Sequence, residues 1–272
     1  MESKKKVAII GGGNIGLAIA SGLVNSKLFP PKDIFITKRK IEAIKNLESQ
    51  GFKLTSDNLL AVKNSEIIIV AVQPKQLDEL LKEISPVIKE EKHIVISVVS
   101  GASIKAMREL IGKEVPIVRA MPNTAIAIQE SMTCISAGLE ANDALKVAEK
   151  IFNSVGKTLI IDEELIVPAT ALCACGIAFF LRAIRAASQG GIEIGFHSEE
   201  ALTMAAQTAK GAASLLLQRK SHPESEVDKV TTPRGITISG LNQMEHFGFS
   251  SAMIKGIVTS AEKAAKIYKS EE

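Results

Sequence analysis

Apolar runs of strand length alternate with amphipathic segments through the first 162 residues of this 272-residue chain. Several runs, such as residues 67–72, are apolar throughout, as expected for strands of a parallel sheet that is covered on both faces. This alternation predicts a doubly wound α/β domain over residues 1–162. The predicted strands are 7–10, 34–37, 67–72, 94–98, 116–119, 133–136 and 157–161, and the predicted helices are 14–26, 40–50, 76–89, 103–111 and 142–154.

The strand-like runs stop after residue 162, and residues 163–272 form a pattern of alanine-rich helices interrupted by glycine and proline. Helices of this composition present a large apolar face, which the same region of another subunit can bury. We therefore expect an all-helical dimerisation domain at 163–272, and a homodimer or a larger homo-oligomer built on dimers. The alternative is a helical bundle that packs only against the sheet domain of its own chain.

Composition and charge narrow the classes of function. Hydrophobic residues make up 46% of the chain and charged residues 23%, which is typical of a globular enzyme. The net charge of +3 is too small to indicate nucleic-acid binding. The longest uncharged stretch, 165–181, contains Pro168 and leads into Arg182, which favours a buried helix over a membrane span. No secretory signal is evident, so we expect a cytoplasmic protein with no membrane partner.

The first predicted strand runs into a glycine turn, Gly11-x-Gly13-x-x-Gly16, and a helical segment follows at once. Strand, glycine turn and helix together form a dinucleotide-binding fingerprint, and they predict a Rossmann-type sheet domain. Gly11 permits the tight turn, Gly13 lets the backbone approach a pyrophosphate, and Gly16 allows close packing of helix and strand. The amides near Asn14 and Ile15, at the start of the helix, favour phosphate binding. The alternative is a glycine-rich turn without a ligand.

The end of the second predicted strand indicates which nucleotide is bound. An NAD-binding domain usually has an acidic residue there, which meets the ribose 2′-hydroxyl. This chain has Thr37, Lys38, Arg39 and Lys40 instead. Arginine binds a 2′-phosphate in bidentate fashion, so Lys38 and Arg39 favour NADPH, with NADH as a possible second cofactor. The alternative is that these basic residues only begin the following helix.

Two later strand ends are expected at the same crevice, because ligands of open α/β sheets bind beyond the carboxyl ends of the strands. One follows the third predicted strand and the other follows the fifth. Either segment alone is also compatible with an ordinary strand-to-helix turn. The candidate cofactor-binding residues there are Ala71, Val72, Gln73, Pro74 and Asn123.

A second candidate site lies in the helical half, at residues 230–240. Pro233 and Gly235 form a turn, and an apolar helical pattern resumes directly after it. Backbone N–H groups at such a helix start form an anion site, to which Thr232 and Thr237 add hydroxyls and Arg234 adds a cation. The segment is suited to a small carboxylate, and a capped helix start without a ligand is the alternative.

The order and spacing of these landmarks resemble the pyrroline-5-carboxylate reductase family over essentially the whole chain. The matching segments are 11–16, Asn58, 71–74, 121–124, 205–208 with 211–213, and 232–237. The resemblance implies a Rossmann domain followed by helices that interlock in a dimer. It also implies that NAD(P)H delivers hydride to the C5=N bond of 1-pyrroline-5-carboxylate and gives L-proline, in the last step of proline biosynthesis.

The resemblance also assigns roles to residues. It implies that the 230–237 turn binds the substrate carboxylate through backbone amides and that Thr237 hydrogen-bonds the ring nitrogen as the catalytic residue. Asn58 is expected beside the adenosine of the cofactor, and residues 71–74 beside the nicotinamide. The substrate-binding residues are then Val230, Thr232, Arg234, Gly235 and Thr237.

Some positions depart from the family pattern. Cys173 and Cys175 stand where the family usually has serines, Arg234 stands where it has glycine, and Gln73 stands where lysine is common. These departures leave two alternatives open: an NADPH-dependent reductase of another cyclic imine, and a non-catalytic nucleotide-binding regulator. A β-hydroxyacid dehydrogenase is disfavoured, because residues 169–195 contain no lysine to serve as its catalytic residue.

The three cysteines do not indicate a disulfide framework. Cys173-x-Cys175 lacks partner ligands at zinc spacing, and the chain has only four histidines. No metal site is therefore expected.

Overall fold

The computed structural model describes residues 5–138 and 141–266; residues 1–4, 139–140 and 267–272 of the predicted domains lie outside the described residues. The chain forms two compact units, one of residues up to 175 together with those from 260 on, and one of residues 176–259. The predicted domain boundary after residue 162 stays a prediction.

The first unit is built on an eight-stranded sheet with the order β3-β2-β1-β4-β5-β6-β7-β8. All neighbouring strands are parallel except the antiparallel pair β6 and β7. Ile10 is in register with Thr37 of β2 and with Val70 of β4, so three central strands end level at the carboxyl edge. The strands are β1 Val7–Ile10, β2 Ile34–Thr37, β3 Lys53–Thr55, β4 Ile67–Val70, β5 Ile94–Ser97, β6 Ile117–Met121, β7 Ser131–Ala137 and β8 Gly156–Ile160.

Helices cover the sheet, and 3₁₀ turns connect many of the elements. The α-helices of this unit are α1 Asn14–Asn25, α2 Asn58–Lys63, α3 Leu77–Ile84, α4 Ile104–Ile111, α5 Asn142–Asn153 and α6 Ile166–Ala169. A π-helical segment, Thr170–Cys175, follows α6. The 3₁₀ segments are Pro31–Asp33, Ile41–Gln50, Pro74–Gln76, Ser85–Val87, Thr124–Ile128 and Glu163–Leu165.

The sequence pattern missed one strand and one α-helix of the first unit and misjudged two predicted helices. The missed elements are β3 and α2. β3 is an edge strand of three residues without an apolar run, and α2 is a helix of six residues. The helix predicted at 40–50 is a 3₁₀ helix over Ile41–Gln50. The helix predicted at 76–89 has its α-helical part only at 77–84, since Pro86 cannot continue an α-helix.

Alternate residues of the central strands supply the two hydrophobic layers of the core, because successive side chains of a strand point to opposite faces. On one face, Ile9 packs in a cluster with Leu23 of α1 and Phe152 of α5. On the other, Ile10 packs in a cluster with Leu77 of α3 and Met107 of α4. The sheet is thus covered on both faces, as the uniformly apolar strands predicted.

The second unit consists of helices. Within it α7 and α8 pack closely, since a Cβ added at Gly191 of α7 would lie 3.0 Å from the Cβ of Ala201 in α8. Many large apolar side chains remain exposed, among them Ile194, Leu217 and Phe247, the last at 83%. The helices are α7 Gly176–Glu193, α8 Ser198–Arg219, α9 Pro223–Lys229, α10 Ile236–His246 and α11 Phe249–Ala264, whose last residues belong to the first unit.

The helical run Glu163–Glu193 is the one stretch among the described residues with the length and composition to cross a membrane. Its mean hydropathy is 2.0, and 22% of its apolar window is buried within the single chain. The sequence predicts a buried helix here, and within the single chain most of this apolar window is not buried.

A buried ion pair joins the sheet to the segment that precedes α6. Arg119 of β6 is 5% exposed, and its Nη1 donates to Glu163 Oε1 over 3.1 Å. The same carboxylate oxygen accepts the N–H of Ile104 over 2.7 Å. Burial lowers the pKa of Arg119, and its hydrogen bond to Glu163 acts in the opposite direction. Because Arg119 Nε and Nη2 have no partner among the described atoms, Glu163 is the counter-ion of this arginine.

We expect Glu163→Gln to lower the free energy of unfolding by about 3 kcal/mol, because it leaves a buried guanidinium without a counter-ion. The amide oxygen of glutamine still accepts the Ile104 N–H, so the loss reports the charge. Urea denaturation measures it. Glu164→Gln is the matched control, since Glu164 is exposed and makes no ion pair with a described residue. Equal effects of the two variants would contradict the role of Glu163.

Candidate functional site

A cleft of about 580 Å³ lies at the carboxyl ends of β1, β2 and β4. It is the crevice that the glycine turn predicted, and of the two later strand ends expected there, the one after β4 lines it and the one after β6 does not. Its lining includes eight of the predicted cofactor residues: Gly11, Gly13, Lys38, Arg39, Asn58, Ala71, Val72 and Gln73.

The three glycines of the glycine turn differ in the space around them, and the difference suits a pyrophosphate. Gly11 has φ +113°, and a Cβ there would overlap the carbonyl oxygen of Ala71. A Cβ at Gly16 would overlap the carbonyl oxygen of Gly11. By contrast, nothing lies within 4 Å of a Cβ built at Gly13. Gly11 and Gly16 thus hold the turn against the strands, and Gly13 leaves open space where a phosphate can approach the backbone.

The start of α1 lies beside this open space. Gly13 is the N-cap, no side chain caps the helix, and its first turn contains no acidic residue. The amides of Asn14 and Ile15 are consequently not satisfied by a side chain. The positive end of the helix dipole therefore stands free for an anion.

The two cations at the end of β2 are placed differently. Lys38 Nζ donates to the carbonyl oxygen of Gly12 over 2.8 Å and so braces the glycine turn. The Gly12 N–H in turn donates to the carbonyl oxygen of Thr37 over 2.7 Å. Arg39 is exposed and makes no hydrogen bond or ion pair with any described residue. Arg39 is therefore the cation whose charged group is available to an anionic ligand, and its binding of a 2′-phosphate stays a prediction.

The far wall of the cleft is formed by the residues after β3, by α2 and by α3. The sequence pattern did not predict β3 or α2, and it predicted α3 with different bounds. Asn58 begins α2, and its Nδ2 donates to both carboxylate oxygens of Glu83, at 3.1 and 3.2 Å. Ser56 was missed because it follows the unpredicted β3. Glu79 and Glu83 are four residues apart on α3, a spacing that places both on one helix face and was available in the sequence. The lining residues not predicted as site residues are Ile10, Gly12, Thr37, Ser56, Gln76, Glu79, Leu80 and Glu83.

Five predicted cofactor residues do not line the cleft: Asn14, Ile15, Gly16, Pro74 and Asn123. Asn14 and Pro74 each adjoin a lining residue, and Ile15 and Gly16 follow Asn14 in the first turn of α1. Asn123 uses its side chain for loop structure: Oδ1 accepts the Ala125 N–H over 3.0 Å, and Nδ2 donates to the Cys173 carbonyl over 3.2 Å. A role of Asn123 in cofactor binding stays a prediction.

The second candidate site is a tight turn before α10. The Gly235 N–H donates to the Thr232 carbonyl over 2.8 Å, with Pro233 and Arg234 between them. Arg234 has φ +60°, so proline followed by a left-handed residue gives the turn its type II pattern. A Cβ at Gly235 would lie 2.6 Å from Thr232 Oγ1, which restricts that position to glycine.

The turn leaves donor groups free. Gly235 is the N-cap of α10 and no side chain caps the helix. Thr237, in the first turn of α10, is exposed, and its hydroxyl has no partner among the described residues. Val230 and Ile236 flank the turn with apolar side chains that are 62% and 95% exposed. The geometry thus presents amides and a hydroxyl beside apolar surface, which suits a small carboxylate with a hydrocarbon ring.

Comparison with known proteins covers both halves of the chain. Residues 163–267 match the family model described as pyrroline-5-carboxylate reductase dimerisation, and residues 6–101 match NADP oxidoreductase, coenzyme F420-dependent. The chain is 50% identical to pyrroline-5-carboxylate reductase 2 of Dictyostelium discoideum, over 98% of this chain and 94% of that relative. The chain belongs to the pyrroline-5-carboxylate reductase family.

Further members of the pyrroline-5-carboxylate reductase family are also similar. Pyrroline-5-carboxylate reductase 1 of Dictyostelium discoideum is 59% identical over 96% of this chain, which spans about half (50%) of that relative's length. A pyrroline-5-carboxylate reductase structure from Coxiella burnetii is 27% identical with a TM-score of 0.89, covering 97% of this chain and 98% of that one. A pyrroline carboxylate reductase structure from Plasmodium falciparum with NADP bound is 25% identical with a TM-score of 0.86, and covers the same shares.

These matches confirm the family and the fold class predicted from the sequence, a Rossmann-type sheet followed by a helical dimerisation region. The roles of individual residues within the pyrroline-5-carboxylate reductase framework stay predictions.

We expect Arg39→Ala to raise the Kd for NADPH about tenfold or more, because a charge-assisted hydrogen bond to the 2′-phosphate is lost. The Kd for NADH is expected to stay nearly unchanged. Calorimetric titration measures both. Lys40→Ala is the control, since Lys40 is exposed and does not line the cleft. Equal weakening of NADPH and NADH would mean that Arg39 does not bind the 2′-phosphate.

Proposed function

We propose that this chain reduces the C=N bond of 1-pyrroline-5-carboxylate with NADPH and forms L-proline, the last step of proline biosynthesis. The observation that carries the proposal is the cleft, where an open Gly13 backbone, an uncapped helix start and a free Arg39 meet. Relatives that are similar over nearly their full length bear the name of this reductase, and a similar structure holds NADP.

Each part of the cleft has a place in cofactor binding. NADPH, when bound, supplies the hydride. Gly13 and the first amides of α1 hold the pyrophosphate, and Arg39 holds the 2′-phosphate. Asn58 lies on the adenosine side, and residues 71–74 lie on the nicotinamide side.

The turn at 230–237 binds the substrate. The carboxylate accepts hydrogen bonds from the free amides at the start of α10, and Arg234 adds a positive charge. Thr237 Oγ1 accepts a hydrogen bond from the protonated ring nitrogen and fixes the orientation of the imine. A protonated imine is already a good hydride acceptor, so these residues act by positioning it and no strong base is required.

The helical unit is the proposed dimer interface. Its exposed apolar side chains, which include Ile194, Leu217 and Phe247, lie within the residues that match the dimerisation model. A second copy of the chain buries them, together with the apolar face of the run Glu163–Glu193. We infer a homodimer, with larger assemblies built on dimers, in the cytoplasm and without a membrane or nucleic-acid partner.

The proposed reaction is tested by the loss of NADPH absorbance on addition of 1-pyrroline-5-carboxylate, with proline identified as the product. We expect Thr237→Ala to lower the rate about tenfold or more, because it removes the group that orients the ring nitrogen. Ser239→Ala is the control, since Ser239 Oγ donates to the Gly235 carbonyl over 3.2 Å and to no other described residue. An unchanged rate in Thr237→Ala removes that residue from catalysis, and no proline from the wild type refutes the function.

Substitution of Arg234 by glycine is expected to have two separate effects, one on the stability of the turn and one on substrate binding. Its left-handed conformation costs about 1 kcal/mol in an L-residue, so we expect Arg234→Gly to raise the free energy of unfolding by that amount. Removal of the cation is expected to raise the KM for the substrate about tenfold.

Lys220→Gly is the matched control for Arg234→Gly. Lys220 has φ +52° at the end of α8, so glycine there relieves similar strain away from the turn. Both variants are expected to raise the thermal midpoint, and only Arg234→Gly is expected to change KM. An unchanged KM in Arg234→Gly would show that the side chain points away from the carboxylate.

A further inference from the structure

Two cysteines far apart in sequence meet beside the sheet. Cys134 Sγ and Cys173 Sγ are 3.9 Å apart, and both thiols are free. Both residues belong to the first unit and to one small apolar cluster with Met121 and Ile166.

The two cysteines differ in how firmly they are held. Cys134 is 3% exposed on β7, in register with Met121 of β6 on one side and with Leu159 of β8 on the other. Cys173 is half-buried in the π-helical segment Thr170–Cys175. A π-helical turn departs from the regular helix, and this segment is not part of the strand ladder that holds Cys134. Cys173 is therefore the more exposed and the less firmly held of the two residues in the single chain.

The contact also divides the two thiols chemically. Either thiol can donate in the neutral pair, but once Cys173 ionises only the Cys134 S–H can donate, and that hydrogen bond lowers the pKa of Cys173 to about 7. The same hydrogen bond, together with burial, raises the pKa of Cys134. Since the thiolate is the reactive form, Cys173 is the nucleophile of the pair.

We propose that Cys173 and Cys134 form an oxidisable dithiol, which hydrogen peroxide converts into an intramolecular disulfide. The Cys173 thiolate attacks one peroxide oxygen, the O–O bond breaks, and a sulfenic acid forms at Cys173. The other oxygen leaves as hydroxide and becomes water by taking up the proton that the Cys173 thiol released on ionisation. Cys134 sulfur then attacks Cys173 sulfur, and the sulfenic oxygen leaves as a second water with the Cys134 proton. The two thiols supply two electrons, and the peroxide is reduced.

Closure requires movement of the π-helical segment. A disulfide joins sulfurs about 2 Å apart, so the present 3.9 Å separation must shorten, and paired β7 resists displacement. The segment is also tied to the loop after β6, because Asn123 Nδ2 donates to the Cys173 carbonyl over 3.2 Å. The oxidised form thus links β7 covalently to the segment that leads into α7.

The test uses the full chain as Cys175→Ser, which retains only the proposed pair. After treatment with hydrogen peroxide, free thiols are alkylated under denaturing conditions and the chain is cleaved with trypsin. We expect peptide 120–146 to be joined to peptide 158–182, with the loss of two hydrogen atoms and reversal by dithiothreitol. Mass spectrometry measures this independently of enzymatic activity.

Two matched variants complete the test. Cys173→Ser retains Cys134 and Cys175, and we expect it to lose the cross-link, since among the described residues it is Cys173, and not Cys175, whose sulfur makes a hydrogen bond with Cys134. Cys134→Ser is expected to accumulate sulfenic acid at Cys173, which dimedone traps. Full alkylation of both thiols in Cys175→Ser after peroxide would overturn the proposal. An equally rapid cross-link in Cys173→Ser, or a link formed only between chains, would overturn it as well.

Discussion

The close contact between backbones at the glycine turn is the constraint on which the site depends. Gly16 of α1 lies against the carbonyl of Gly11, and Gly11 lies against the carbonyl of Ala71 at the end of β4. Any side chain at Gly11 or Gly16 would separate the helix or the turn from the strands. Since this contact places α1, the helix begins at the carboxyl edge of the sheet with its amides uncapped beside the cleft.

The charges around the cleft follow from that placement. Lys38 is drawn to the Gly12 carbonyl and strengthens the turn, so its ammonium contributes to the structure as well as to the positive potential. Arg39, one residue later, has no hydrogen-bond or ion-pair partner in the part of the chain that the structure describes. Two cations that are neighbours in sequence thus have different surroundings, because successive positions at a strand end face opposite directions. The acidic Glu83 is engaged with Asn58 on the far wall.

The segment that leads out of the sheet domain is held by specific side chains. Glu163 neutralises the buried Arg119, Asn123 donates to the Cys173 carbonyl, and Cys173 lies on Cys134. The helices that follow expose many large apolar side chains in the single chain. A segment anchored to a rigid sheet at one end and continued by such helices suits a protein whose helical region functions in an oligomer.

The sequence by itself determined the parts that depend on local pattern. Apolar runs identified seven of the eight strands, and the glycine spacing identified the turn, because both signals lie within a few consecutive residues. The short edge strand β3 lacks such a signal, so Ser56 was not recognised as a lining residue. Three features depend on the tertiary structure. Lys38 contacts the glycine turn whereas Arg39 does not, the side chain of Asn123 is hydrogen-bonded within its own loop and to Cys173, and Cys134 lies beside Cys173. Those outcomes depend on contacts between residues distant in sequence, which strand register and helix packing decide and local periodicity does not encode.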